Sequence, residues 1–229
     1  MVFLTSPLQI KPYLDGHTYT DGDVPLLTVS SQLPYWEGDH GNRFNLYYRA
    51  YERAFRRYCE TSLFPLAQAS YREALESGGT LMQWRATLQT TVTYEGEGLL
   101  SLYTDSVEST ASQRIVLRRG DTWDMTSGTP LRLADFFAPH TLVRKRILSA
   151  VRETIEREER LGLYRCLPDW RVRIRRSFNP QNFYVSDEGL YVFYQTYAIA
   201  PPSEGLPTFF LPYDEEKGPR QKGKSDSVD

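Results

Sequence analysis

Three histidines, His17, His40 and His140, are the only imidazoles in this chain of 229 residues. A histidine acts as general base or metal ligand when a nucleophile, a carboxylate or a second ligand orients it. All three fall in loop-like stretches, and only His40 has an adjacent acid, Asp39. No second metal ligand stands near that pair. Cys59 and Cys166 lack the short paired spacings of a zinc site. Two buried thiols are the simpler reading of them, with a disulfide left open. The acid pair Glu158-Glu159 lies on the wet side of a helical pattern, so it offers no opposed carboxylates for glycoside hydrolysis. Gly96-Glu97-Gly98 reads as a hairpin turn, because no phosphate-binding helix follows it. These residues point away from an enzyme, and they imply neither a metal nor a cofactor.

Binding offers better candidates. The loop Ala200 to Leu206 carries Pro201 and Pro202, which stiffen it and lower the ordering cost of binding. Glu204 gives it a charge, Gly205 a turn, and Tyr197 is expected to pack beneath it. The plainer reading is a connector between two strands. Arg171, Arg173, Arg175 and Arg176 form a basic row that could meet an acidic partner, and a solvated face paired with helix acids explains it as well. Tyr47, Tyr48 and Tyr51 could stack on sugar, but their spacing is that of a helical core stripe.

Composition bounds the rest. Charged residues are 24% and hydrophobic ones 40%, an ordinary globular balance. A formal net charge of −2 argues against a nucleic-acid binder. Aromatics reach 14%, mostly through 16 Tyr, a residue suited to half-buried sheet faces and contact surfaces. No apolar run approaches the length of a transmembrane helix. The N-terminal Met1 to Tyr13 has no basic start and no long apolar core, so it is not a secretory signal. That favours a cytoplasmic chain, or one that has been trimmed.

The elements that must position these residues follow from periodicity. Residues 1–22 read as a polar arm with one short strand near Met1 to Leu4. Val24 to Leu33 alternates as a strand and ends at Pro34. Asn42 is placed to cap a helix whose stripe is Phe44, Tyr47, Tyr48, Tyr51, Phe55 and Tyr58. Pro65 should kink or restart it, and Gly78-Gly79 should end it. Leu81 to Tyr94 is the clearest strand, with Met82, Trp84, Ala86, Leu88, Val92 and Tyr94 on its buried face. Strands over Leu99 to Val107, Gln113 to Arg118 and Thr122 to Met125 complete a meander, the last two separated by a turn at Gly120-Asp121. Leu131 to Phe137 holds a helical turn and Leu142 to Arg160 a long helix. Trp170 to Arg175 alternates as a strand. Phe183 to Val185, Leu190 to Ala198 and Thr208 to Leu211 are the closing strands. Residues 214–229 read as a disordered tail. The class is α+β, a largely antiparallel sheet with two main helices packed on one face.

At Phe183-Tyr184, Gly189-Leu190, Tyr197 to Pro201, Gly205 and Leu211-Pro212-Tyr213 the chain resembles a bacterial family of domains of unknown function, the RsiV-like family. These domains form the C-terminal half of the extracytoplasmic region of lysozyme-sensing anti-sigma factors. Gly128 to Phe137 resembles the family's upstream loop, and Gln32-Leu33-Pro34 before a helix resembles the start of its companion N-terminal half. The resemblance spans about residues 23 to 213, which divides the chain into an arm (1–22), an N-terminal half (23–127), an RsiV-like half (128–213) and a tail (214–229). The chain departs from the pattern at Thr104 to Thr110, where the family's Gly- and His-bearing loop is missing, and at Pro202, where the family has Tyr. The resemblance implies an extracytoplasmic, non-catalytic binding module for a protein or cell-envelope ligand, with lysozyme a candidate. Two alternatives remain open: an envelope-polymer hydrolase or its accessory, and an intracellular interaction protein that kept the fold.

Overall fold

Two long strands, β1 (Ile10–Asp21) and β2 (Val24–Trp36), open the computed structural model, which describes residues 10–37, 41–80 and 82–213. A helical excursion follows: α1 (Gly41–Tyr58), a π-helical turn (Cys59–Leu63) and α2 (Phe64–Ser77). The chain then returns as β3 (Trp84–Gly96), β4 (Leu99–Ser109), β5 (Arg114–Asp124) and the short β6 (Thr129–Pro130). These strands form one sheet in the order β1-β2-β3-β4-β5-β6. Every pair is antiparallel except β2 with β3, which the excursion through α1 and α2 makes parallel. A 3-10 turn (Leu133–Phe136), α3 (Val143–Arg160) and α4 (Trp170–Arg176) lead to a second, antiparallel sheet of β7 (Phe183–Val185), β8 (Gly189–Phe193) and β9 (Thr208–Pro212). The α+β class expected from the periodicities is observed.

Each main helix backs its own sheet. Phe44, Tyr48 and Phe55 of α1, and Cys59 at the start of the π-helical turn, bury against Leu27, Leu88, Leu102 and Trp123 on one face of the large sheet. Ile147, Val151 and Ile155 step by four along α3 and are fully buried against the small sheet, among Val185, Leu190, Val192 and Phe209. Burying an aliphatic or aromatic side chain of this size contributes about 1.5–3 kcal/mol.

Pro65 explains the π-helical turn. It has no N–H and its ring would strike the carbonyl one turn earlier. The backbone widens before it, so that the Phe64 N–H reaches back five residues to the Cys59 carbonyl, and Pro65 falls in the first turn of α2. Gly78 closes α2 in the left-handed conformation at φ 66°, its N–H on the Ala74 carbonyl.

The two sheets meet where β7 sets its outer edge on the face of β4 and β5. The Phe193 N–H donates to Asn182 O and the Ser186 N–H to Gly189 O, so Tyr184 turns its backbone groups to β8 while Phe183 and Val185 turn theirs outward. The outward Val185 N–H donates to Ser101 Oγ at 2.9 Å, and Ser101 Oγ shares a hydrogen with Thr122 Oγ1 at 2.8 Å. The outward Phe183 carbonyl lies over Gly120, where a Cβ would stand 1.9 Å from its oxygen. Further along β5, the Gln195 side chain stands in for a strand. Its amide oxygen accepts from the Arg118 N–H at 3.0 Å and its amide nitrogen donates to the Arg118 carbonyl at 2.6 Å. Thr196 Oγ1 donates to the Val116 carbonyl at 3.0 Å. A primary amide presents the same donor–acceptor pair as a peptide group, so side chains cover this open edge.

Several expectations are corrected. Residues 10–21 are a twelve-residue strand and not an arm; an edge strand with no fully buried residue carries little alternation to read. The segment Met1 to Leu4 and the tail 214–229 lie outside the described residues. β2 runs past Pro34 to Trp36, because Pro34 sits opposite Pro12 and beyond the β3 pairing, which puts both missing donors at one step of the ladder. Asn42 lies inside α1; Asn45 does the anchoring, bonding both the Trp36 N–H and the Trp36 carbonyl. On β3, Met82 precedes the strand and is exposed; Val92 is exposed although it lies opposite Leu102, and the register shift after it moves Tyr94 to the other face, against the small-sheet core. β5 runs unbroken through Gly120-Asp121, so this glycine marks a crossing and not a turn. β8 stops at Phe193, after which the chain leaves to cover β5. Trp170 to Arg175 is helical: Trp170 and Ile174, four apart, are buried, while Val172 is exposed, and Arg173 reaches back to Asp169.

The crossing gives a direct test. Gly120→Ala should destabilise the protein by about 3 kcal/mol or more in urea unfolding, because backbone stands in the way. Gly16→Ala, whose Cβ would meet only Val29 O at 3.5 Å, should change stability by less than about 1 kcal/mol.

Candidate functional site

With α1 and α2 covering one face of the large sheet, the other is left to the small sheet and to solvent. The strand registers align side chains across this open face. Leu14 lies opposite Gln32, Gln32 beside Gln89, Gln89 opposite Asp105, and Asp105 opposite Arg118. The next row carries Gly16, Ser30 and Thr87. Over the β1–β3 part lies an open groove of about 460 Å³ lined by Leu14, Gly16, Ser30, Gln32, Thr87 and Gln89. The Asp15 side chain belongs to the opposite face, where it pairs with Arg56 of α1.

The far end of the row is fixed. Arg118 Nε and Nη2 each donate to one Asp105 oxygen at 2.8 Å, a two-pronged pair, and the guanidinium lies 3.7 Å from the centre of the Tyr103 ring. Burial opposes the charge on Arg118, but the Asp105 hydrogen bonds and charge outweigh it and hold its pKa above the ordinary value.

From Tyr103 the stack climbs onto the small sheet. Tyr103 and Tyr184 have ring centres 5.1 Å apart, Tyr184 and Tyr191 5.0 Å at an interplanar angle of 11°, and Tyr191 and Phe210 5.1 Å. β7, β8 and β9 supply one ring each at adjacent register positions, on the face turned away from α3. Tyr184 is buried, Tyr191 half-buried and Phe210 is 40% exposed, so the stack is anchored at its base and open at its end. It forms a wall beside the polar floor.

The residues expected from sequence to bind form a separate place. Pro202–Glu204 is a 3-10 turn, Gly205 follows at φ 72°, and Pro201, Pro202 and Glu204 remain accessible. Tyr197 does not pack beneath this loop. It is 64% exposed at φ 66°, because Gln195 and Thr196 before it are drawn onto β5. Glu204 instead borders a shallow recess with Glu159, Tyr164 and Arg165. The arginine row is dispersed by the helical conformation of α4, with Arg171 on Glu156 and Arg173 on Asp169. The Arg173 hydrogen bond holds the Asp169 carboxyl below the usual carboxylate value.

His17 lies in β1 with its ring edge-on to Tyr19 at 4.5 Å, and His140 occupies the turn before α3 at φ 64°. Asp39 and His40 lie outside the described residues. Among the described residues no three His, Cys, Asp or Glu side chains stand close enough to hold a metal ion. Cys59 and Cys166 are free thiols. Tyr47 and Tyr48 donate to Asp121 at 2.7 and 3.3 Å, and Arg119 also reaches it at 3.3 Å, beneath α1. Burial raises the Asp121 pKa, and Arg119 and the two phenols counter it in part. These tyrosines are core residues, as their spacing suggested.

The aromatic wall escaped sequence reasoning. Tyr184, Tyr191 and Phe210 are visible as strand residues, but only the pairing of three strands puts them side by side, and Tyr103 lies far upstream.

Residues 134–214 match the family model described as a protein of unknown function, DUF3298. In fold the chain is similar to the crystal structure of a DUF3298 family member from Bacteroides fragilis, at 14% identity and a TM-score of 0.64, covering 90% of each chain. It is similar also to that of a DUF3298 family protein from Pseudomonas aeruginosa, at 19% identity and a TM-score of 0.59, covering 91% of this chain and 92% of that one. No curated protein matches the sequence.

Two titrations check these environments. Burial raises both thiols to about 12. At pH 8 iodoacetamide should therefore modify the native protein at least about 100-fold more slowly than the unfolded chain, since only thiolate reacts; equal rates would contradict it. Asp121, with its folded pKa raised, binds its proton more tightly in the native state than in the unfolded one. The stability it contributes is present below the ordinary carboxylate pKa and is lost as pH rises through the raised value. Urea unfolding from pH 3 to 7 should show this component in the native sequence and lack it in Asp121→Asn.

Proposed function

We propose that this chain is a non-catalytic binding module of the RsiV-like type. It recognises a protein or cell-envelope ligand, with lysozyme a candidate, at the corner between the aromatic wall and the open face of the large sheet. The observation that carries this reading is the stack from Arg118 through Tyr103, Tyr184 and Tyr191 to Phe210, rigid at its base and exposed at its end. Aromatic groups held in place by their neighbours lose little conformational entropy on binding, and such groups dominate interface energetics. The polar floor beside them adds hydrogen-bonding groups already fixed by the sheet. The loop with Pro201, Pro202 and Glu204 serves as a second, smaller contact in this reading.

The acids that share a small recess with His17, Asp15 and Glu52, are engaged by Arg56 and Ser31, which favours binding over hydrolysis in this reading. Calorimetric titration with lysozyme and with solubilised peptidoglycan tests the proposal. Binding of at least one is expected, and Tyr191→Ala with Phe210→Ala should weaken it by at least about tenfold. Failure of both ligands to bind would remove this form of the reading.

A further inference from the structure

We infer that the groove over β1, β2 and β3 holds a neutral oligosaccharide, lying across the strands with one end against the aromatic wall. This rests on the binding-module reading and specifies its ligand. The row from Leu14 to Arg118 crosses five strands, a span of about 19 Å at the ordinary strand spacing. That is the reach of a short sugar chain and far more than one ring requires.

The chemistry of the row selects the occupant. Gln32 and Gln89 present primary amides, and Ser30 and Thr87 present hydroxyls. Each group both donates and accepts, as a sugar hydroxyl does. The row holds two ions, Asp105 and Arg118, and they neutralise each other at 2.8 Å. Asp15, the acid nearest the groove, is paired with Arg56 beyond the sheet. A phosphate or uronate polymer would find no uncompensated cation in the row. An extended peptide is best held by a free strand edge. Here the groove crosses the face of the sheet and does not run along the free outer edge of β1, so side chains do the recognising. Leu14, 68% exposed at one end, and the rings of Tyr103 and Tyr191 at the other supply apolar surface for the C–H faces of the sugar rings. Gly16 lowers the floor between them: no side chain rises where it faces Ser30.

The test uses chitotetraose and cellotetraose as probes, followed by amide chemical shifts and calorimetry on the whole chain. Binding of at least one in the millimolar range or tighter is expected, with shifts gathered at Gln32, Gln89 and Tyr191. Gln32→Ala combined with Gln89→Ala should weaken it by at least about tenfold while leaving the melting temperature in place, because both side chains are exposed. A tetramer of galacturonate should bind more weakly than the neutral sugars. Absence of shifts from both neutral probes, affinity untouched by the double variant, or tighter binding of the uronate would each overturn the inference. Lysozyme is titrated in parallel. If it binds and the sugars do not, this inference falls and the binding-module reading stands; if the sugars, lysozyme and solubilised peptidoglycan all fail to bind, both fall.

Discussion

The structure depends on one close approach. β7 is the edge of a three-stranded sheet, and its outward carbonyl at Phe183 occupies the space above Gly120 that any side chain would fill. That approach brings the Val185 N–H within reach of Ser101 Oγ and lets the chain after β8 run down the open edge of β5. A strand edge left bare exposes unpaired donors and acceptors and invites aggregation. Here two edges are settled at once: β7 by the face of β4 and β5, and β5 by the side chains of Gln195 and Thr196.

The same approach builds the site. Because the small sheet stands on the large one at β7, one of its faces meets α3 and makes a core, while the other turns toward the free floor of the large sheet. Tyr103 on the floor then touches Tyr184 on the wall. The ion pair of Arg118 and Asp105 serves more as a positioning device than as a source of stability. A partly exposed pair of this kind contributes at most about 1 kcal/mol, and less in salt. It does hold the guanidinium over the Tyr103 ring, which fixes the lowest member of the stack. Each aromatic contact in the stack is worth about 0.5–1.5 kcal/mol beyond burial.

Most of the elements were legible in the sequence, and the exceptions have physical causes. The stripe of α1, the Gly78 stop, the meander of β3 and β4 and the apolar steps of α3 all follow local periodicity. β1 carries little alternation because none of its residues is fully buried. Trp170 to Arg175 misled because alternation of period two over six residues is also compatible with one helical turn and a half, and only Trp170 and Ile174 find cover. Gly120 misled in the opposite sense. In sequence it looks like a turn beside Asp121, whereas its reason is a backbone that arrives from more than sixty residues later. The site was less legible than the fold. Pro201, Pro202, Glu204 and Gly205 do form an accessible turn, and Tyr197 does not support it. The row of Leu14, Gln32, Gln89, Asp105 and Arg118 exists only through strand register, and so does the stack ending at Phe210.

Residue-resolved native-state hydrogen exchange tests the central claim most directly. If the seat of β7 on β4 and β5 unites the sheets, the Val185 amide should exchange as slowly as the amides in the middle of β4, through the same global opening. Fast exchange at Val185 and throughout β7 to β9, with β4 still protected, would show a small sheet that opens by itself and would contradict the account.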